Sequence, residues 1–275
     1  MVVLTGAALV AASQVQAALS YSDGDLLLNF RDITSSTPPN LTVDEGNINT
    51  FLSSVSAGTT TELVSSTTLT GALTGAGAGD QIGFSAGAGT TTAISGAEAD
   101  TLWLTRVIPA GQLTGSGLTA SAKQLASTQG NTDTILYNIG QGMIGGTAVG
   151  GLTDAATVSG GNANSYASQA VNAGTMNYNT AQSTTAGAGG ALEGVQTASS
   201  GADVYEALWE VQPSTKGTGV GGPADTYEGY FTFQPDGEVD FTAASSVPEP
   251  STYGLIAGAA LLALAFRRQI RSVTA

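Results

Sequence analysis

Neither cysteine nor histidine occurs in the 275 residues. Without cysteine no disulfide forms, even in an oxidising compartment, so packing or bound ions must supply stability. Without histidine the usual general base is gone, and with it the Ser-His-Asp and Cys-His arrangements and every zinc site built on His or Cys. Charge is also scarce: Asp, Glu, Lys and Arg make up 10% of the chain, with 7 basic against 21 acidic residues and a net charge of −14. Only Arg31, Arg106, Lys123 and Lys216 are basic outside the C-terminal tail. A surface of that sign repels phosphate backbones and acidic headgroups, which excludes nucleic acid as a partner.

Long apolar runs are confined to the two ends. At the front, residues 2–12 are small and apolar, and Val15-Gln16-Ala17 fits the small-x-small pattern of a signal-peptidase site. Signal peptidase is therefore an expected partner, with cleavage before Ala18. No Lys or Arg precedes Arg31, so a basic leader region is missing. At the back, Val247-Pro248-Glu249-Pro250 precedes an uncharged run over residues 253–266, then Arg267, Arg268 and Arg271. Those 14 residues span about 21 Å as a helix, short of the roughly 30 Å hydrocarbon core, so a crossing requires local thinning. The three arginines act as a basic stop and set the preceding chain outside the cytoplasm.

The motif, the apolar run and the arginines, in that order, resemble the PEP-CTERM sorting signal of Gram-negative bacteria. The resemblance implies an exosortase as partner, a membrane cysteine protease and transpeptidase that recognises Pro248-Glu249-Pro250. It also implies transient inner-membrane anchoring, then a cell-surface or extracellular destination, commonly in exopolysaccharide or biofilm matrix. A looser likeness runs through Asp25-Leu26-Leu27-Leu28-Asn29-Phe30-Arg31, Leu102-Trp103-Leu104-Thr105-Arg106 and Tyr227-Glu228-Gly229-Tyr230-Phe231-Thr232-Phe233. It resembles a group of PEP-CTERM surface proteins of Verrucomicrobia-like bacteria. The implied organisation is a signal peptide (1–17), a β-rich secreted domain (18–246) and a sorting signal (247–275).

The body is expected to be mainly β: one β-sandwich-like ectodomain with one or two short helices and Gly/Thr-rich loops, followed by the C-terminal transmembrane helix. Buried strands are expected over residues 25–31, 101–107 and 134–139. Thr42-Val43-Asp44-Glu45 matches a capping box ahead of Ile48, Phe51, Leu52 and Val55 at helical spacing. A second helix is expected over residues 164–182, on a stripe of Tyr166, Ala167, Ala170, Val171, Gly174 and Tyr178. The Gly/Ala alternations at 75–79 and 86–89 suggest Gly-rich strand ends and loops, and residues 216–222 a Gly-rich loop. Over residues 204–211, Tyr205, Ala207, Trp209 and Val211 share one face, and Glu206, Leu208 and Glu210 the other. Pro235-Asp236-Gly237 predicts a hairpin turn. Phe231, Phe233, Val239 and Phe241 then share one buried face.

No catalytic residue is called. Asp23 and Asp25, with Asp236, Glu238 and Asp240, offer hard oxygen ligands on turns, which suit Ca²⁺. Ordinary turns use the same residues more often. Glu206 and Glu210 lie about 13 Å apart on a strand, too far for a glycosidase pair, and are expected on a solvated face. Tyr227 and Tyr230 are candidates to contact sugar rings, while Trp103 and Trp209 are expected in the core. The leading expectation is a non-enzymatic surface or matrix protein that associates with exopolysaccharide or with itself. The alternatives are a carbohydrate-binding module and a carboxylate-based glycoside hydrolase.

Overall fold

In the computed structural model eleven strands, among the described residues, hydrogen-bond into one sheet. The structure describes residues 18–34, 39–73, 79–95, 97–113, 126–150, 152, 154–171, 193–198, 201–213 and 225–245, with side chains of the third helix from residue 132. The described fold belongs to one unit, Met1–Ala244, while a second, Ser245–Ala275, holds the sorting residues and is described only at Ser245.

The strands in chain order are β1 (Asp25–Asp32), β2 (Asn40–Asn47), β3 (Thr60–Val64), β4 (Gln81–Gly89), β5 (Leu102–Ile108), β6 (Thr147–Ala148), β7 (Ala155–Val158), β8 (Gly194–Thr197), β9 (Val204–Val211), β10 (Thr226–Phe233) and β11 (Val239–Ala243). Across the sheet they run β3-β11-β10-β9-β5-β4-β1-β2-β7-β6, with β8 paired to β4. Every pairing is antiparallel. β4 pairs with β5 only at Gly87–Gly89, and β8 takes over at Gln81–Phe84. There the sheet splits and curls.

The curl brings two limbs of the same sheet face to face. Phe84 on β4 meets Phe30 on β1 at 5.1 Å between ring centroids, and Phe231 and Phe233 on β10 at 5.7 and 5.5 Å. Phe231 in turn meets Phe241 on β11 at 4.9 Å. These phenylalanines are fully buried with Leu26, Leu28, Leu208 and Val239. The mainly β expectation holds, but one continuous curled sheet takes the place of two stacked ones. The strip β9–β5 carries the hydrogen bonding from one limb to the other.

Four helices are present among the described residues: α1 (Ile48–Ser54), α2 (Ser66–Ala72), α3 (Ala126–Ile144) and α4 (Tyr166–Val171). α1 forms where the Ile48 and Phe51 spacing puts it, but its cap is Asn47, whose side chain accepts from the Asn49 and Thr50 N–H groups. Thr42, Val43, Asp44 and Glu45 lie inside β2 instead. The strand expected at residues 134–139 is the middle of α3. Ile135, Leu136, Ile139 and Met143 fall on one buried helical stripe, so packing overrides the β preference of Thr and Ile. α3 and α4 cover the outer face of β1, β2 and β4, burying Leu27, Leu102, Leu104, Leu136 and Tyr166. Beyond residue 171 the second predicted helix lies outside the described residues, as do the loop at 216–222 and most of the alternation at 75–79.

Candidate functional sites

The strongest polar constellation lies on the outer face of β4, where Gly83, Ser85, Gly87 and Gly89 are all small and three of them seat a polar side chain. Gly83 sits under Glu193, Ser85 under Tyr166, and Gly89 under Asp133. A Cβ at Gly83 would collide with the Glu193 carboxylate, and one at Gly89 with Asp133 Oδ1. Arg31, paired in register with Gly83, donates to Glu193 through Nε and Nη2, each at 2.6 Å. The Tyr166 hydroxyl donates to Glu193 Oε1 at 3.0 Å and accepts from the Ser85 hydroxyl at 2.9 Å. A bidentate guanidinium–carboxylate pair of this kind satisfies both charges in a buried setting.

Next to it in the chain, the Gly194 N–H donates to Glu206 Oε1 at 2.6 Å. Glu206 is 0% exposed, which corrects the expected solvated face. Its side chain points with Leu208 and the paired Phe231 toward the phenylalanine core, where a second limb of the sheet covers that face of β9. Burial pushes its carboxyl well up, the Thr105 hydroxyl and the Gly194 N–H oppose the shift, and the charge of Glu193 adds to it. Two carboxyls thus sit close, one paired with a guanidinium and one whose protonated form is favoured by burial. With Glu206 fully buried and Glu193 7% exposed, no substrate reaches between them in this arrangement.

A second acidic group gathers where β1 begins. Asp25 and Asp44 are buried on paired strands. Burial first, then the charges of Asp25 and Asp154, push Asp44 up to about 8, against the Gly46 N–H that donates to it. Asp133 on α3 is pushed up to about 7 by burial, with Asp23 and Asp100 adding. The sequence offered no sign of Asp133, Glu193 or Tyr166 as a polar centre. Each owes its place to contacts distant in the chain.

The predicted metal residues are engaged locally. Asp23 accepts from the N–H and hydroxyl groups of Thr91 and Thr92, at 2.9–3.2 Å. Asp25 accepts from the Ser22 N–H at 2.6 Å. Asp236 accepts from the Glu238 N–H inside the turn, and Glu238 and Asp240 share the Gln234 amide. Among the described residues no group of three Asp or Glu converges in a way that would hold a metal ion.

Tyr227 and Tyr230 lie on one face of β9–β10, partly buried, with Tyr205 and Trp209. Trp209 meets Tyr227 at 5.3 Å, and Tyr205 meets Tyr230 edge-on at 6.1 Å. The Tyr227 hydroxyl donates to the Leu113 carbonyl at 2.7 Å, which fixes its ring. Trp103 is fully buried and Trp209 nearly so, as the sequence suggests.

Of the export residues, Ala18 is described and exposed; Val15 and Ala17 lie outside the described residues, as do Val247, Pro248, Glu249, Pro250, Arg267, Arg268 and Arg271. No helix among the described residues is long and apolar enough to cross a membrane, and the run at 253–266 falls outside them. No curated protein and no solved structure matches the chain. One family does match, over the tail alone, and it gives no support for a Verrucomicrobia-like source. Residues 246–269 match the PEP-CTERM protein-sorting motif, so the chain carries the signal of an exosortase-sorted surface protein.

Proposed function

We propose that this is an exported, non-enzymatic surface protein whose tail an exosortase removes or transfers and whose β domain associates with exopolysaccharide. The observation that carries the sorting half is the motif match at residues 246–269. Signal peptidase acts at the other end, before Ala18, and the tail anchors the chain in the inner membrane only until it is cut. Support for a non-catalytic body comes from its carboxyls. Glu193 is committed to Arg31 and Tyr166, and Glu206 is sealed in the core. Support for the polysaccharide reading is the aromatic strip of Tyr205, Trp209, Tyr227 and Tyr230, since fixed aromatic rings stack on sugars at little entropic cost.

Intact-mass analysis of the cell-surface form tests the sorting half. The expected product begins at Ala18 and lacks Arg267 and Arg268; a product retaining both arginines would overturn it. For the ectodomain, pull-down with purified exopolysaccharide is expected to weaken at least tenfold in Tyr227→Ala/Tyr230→Ala. Unchanged binding in that double variant would remove the strip from the proposal. Self-association is the second reading, favoured by β3: Thr60, Thr61 and Glu62 are exposed on a strand that ends the sheet.

A further inference from the structure

α3 and α4 cover the limb of the sheet around β1, β2 and β4; the outer face of the other limb, over β10, β11 and β3, reaches solvent. The register sets two rows across it. Tyr205, Thr232, Asp240 and Glu62 stand side by side in one, and Ala207, Tyr230, Thr242 and Thr60 in the next. Tyr205, Tyr230 and Asp240 are half-buried, while Thr60 and Glu62 are exposed. Strand parity puts Gln234 and Glu238 on the same side. The Gln234 amide donates there to Glu238 Oε1 and to Asp240 Oδ2, each at 3.0 Å. The alternate residues, Phe231, Phe233, Val239 and Phe241, fill the core.

Two properties meet on this face. The rings of Tyr205 and Tyr230 lie edge-on at 6.1 Å and offer an apolar surface on which a sugar ring stacks. Beside them the charge is of one sign. None of β3, β9, β10 and β11 carries Lys or Arg, and Arg106 on neighbouring β5 is the single cation in register with either row. Asp240 is the diagonal neighbour of Tyr230 across β10 and β11, at roughly 7–8 Å, so a group stacked on the ring lies within reach of the carboxylate. Burial, then the charges of Asp240, Glu62 and Asp236, hold the Glu238 carboxyl above its ordinary value. Such a face repels a polyanion and offers a neutral glycan only its rings. A glycan with fixed positive charge engages both the rings and the carboxylates. We propose that the ligand of this face is an amino-sugar polymer with free amines, its rings on Tyr205 and Tyr230 and its ammonium groups at Asp240 and Glu62. This ligand presupposes the polysaccharide reading above and adds a charge to it.

The full-length chain in mild detergent is titrated with an oligomer of glucosamine, with the same oligomer fully N-acetylated, and with polylysine. The glucosamine oligomer is expected to bind at least about tenfold more tightly than its neutral counterpart, with the gap closing as salt is raised. Tyr230→Ala is expected to weaken the glucosamine oligomer about tenfold and to leave polylysine unchanged. Asp240→Asn combined with Glu62→Gln is expected to weaken it about fivefold and to leave the N-acetylated oligomer unmoved. These substitutions lie at half-buried or exposed positions, outside the phenylalanine core. Equal affinity for the two oligomers would overturn amine recognition and leave the aromatic strip standing as a glycan site. Glucosamine binding that ignores Tyr230→Ala, as polylysine binding does, would be charge attraction alone and would remove the site. If neither oligomer binds, the amino-sugar ligand is wrong. The polysaccharide reading is then judged separately, by whether Tyr227→Ala/Tyr230→Ala weakens the pull-down with purified exopolysaccharide.

Discussion

Arg31 is one of only four basic residues outside the tail, and it is spent entirely inside the protein. Its guanidinium is held between β1 and Glu193, and that carboxylate also accepts from Tyr166. Removing one partner strands the other in a poorly solvated place. Arg31→Ala is therefore expected to cost about 3–5 kcal/mol in urea unfolding. Arg31→Met combined with Glu193→Met should recover most of that loss, because a buried pair replaced by apolar groups of similar volume is close to neutral. If the double variant is as unstable as the single one, charge compensation is not what Glu193 and Arg31 contribute. Gly83 belongs to the same site: its lack of a side chain is what lets Glu193 descend to the strand. Gly83→Ala should lower the thermal midpoint by several degrees through steric displacement of that carboxylate.

At the level of the elements, β4 decides the fold. Its inner side chains, Ile82, Phe84, Ala86 and Ala88, build the core, while its outer positions stay small so that Glu193, Tyr166 and Asp133 can approach. Phe84 touches both limbs of the curled sheet. Phe84→Ala is expected to cost ~3–5 kcal/mol, and Phe84→Leu clearly less, read from urea midpoints at constant slope. Equal costs would mean that cavity volume is not the determinant. This strand is also where the sequence is only partly legible. Ala86-Gly87-Ala88-Gly89 reads as a Gly-rich strand end or loop and is the end of β4, but it carries no alternation of bulk and polarity to show what packs on it; the side chains that fill the space above it come from distant segments. α3 fails for the opposite reason, since its Thr and Ile favour a strand and only packing against the sheet makes it helical. The hairpin of β10 and β11 was legible because Pro235-Asp236-Gly237 fixes the turn locally and the phenylalanine parity follows from it. The parity of β9 was legible too, but not that its Glu206 side would be sealed, because a second limb of the sheet covers it.

At the scale of the whole molecule, the buried and half-buried acids act in the same direction. Burial first of all pushes Asp44 up to about 8, and Asp133 with the half-buried Glu45 and Glu228 up to about 7. A carboxyl raised in the folded state binds its proton more tightly there than in the unfolded chain. Its contribution is full below the unfolded value near 4 and fades as pH climbs through the folded value. The thermal midpoint is therefore expected to fall between about pH 5 and pH 8 when scanned in chelator at constant ionic strength. A midpoint that rises over that interval would mean these carboxyls ionise normally in the fold.

The last strand has a mechanical consequence. β11 leads into the sorting segment, yet it lies inside the sheet, flanked by antiparallel β10 and β3. Tension applied from its C-terminal end runs along the strand rather than across it. The hydrogen bonds on both flanks then share the load and must give way together, instead of opening one after another like a zip.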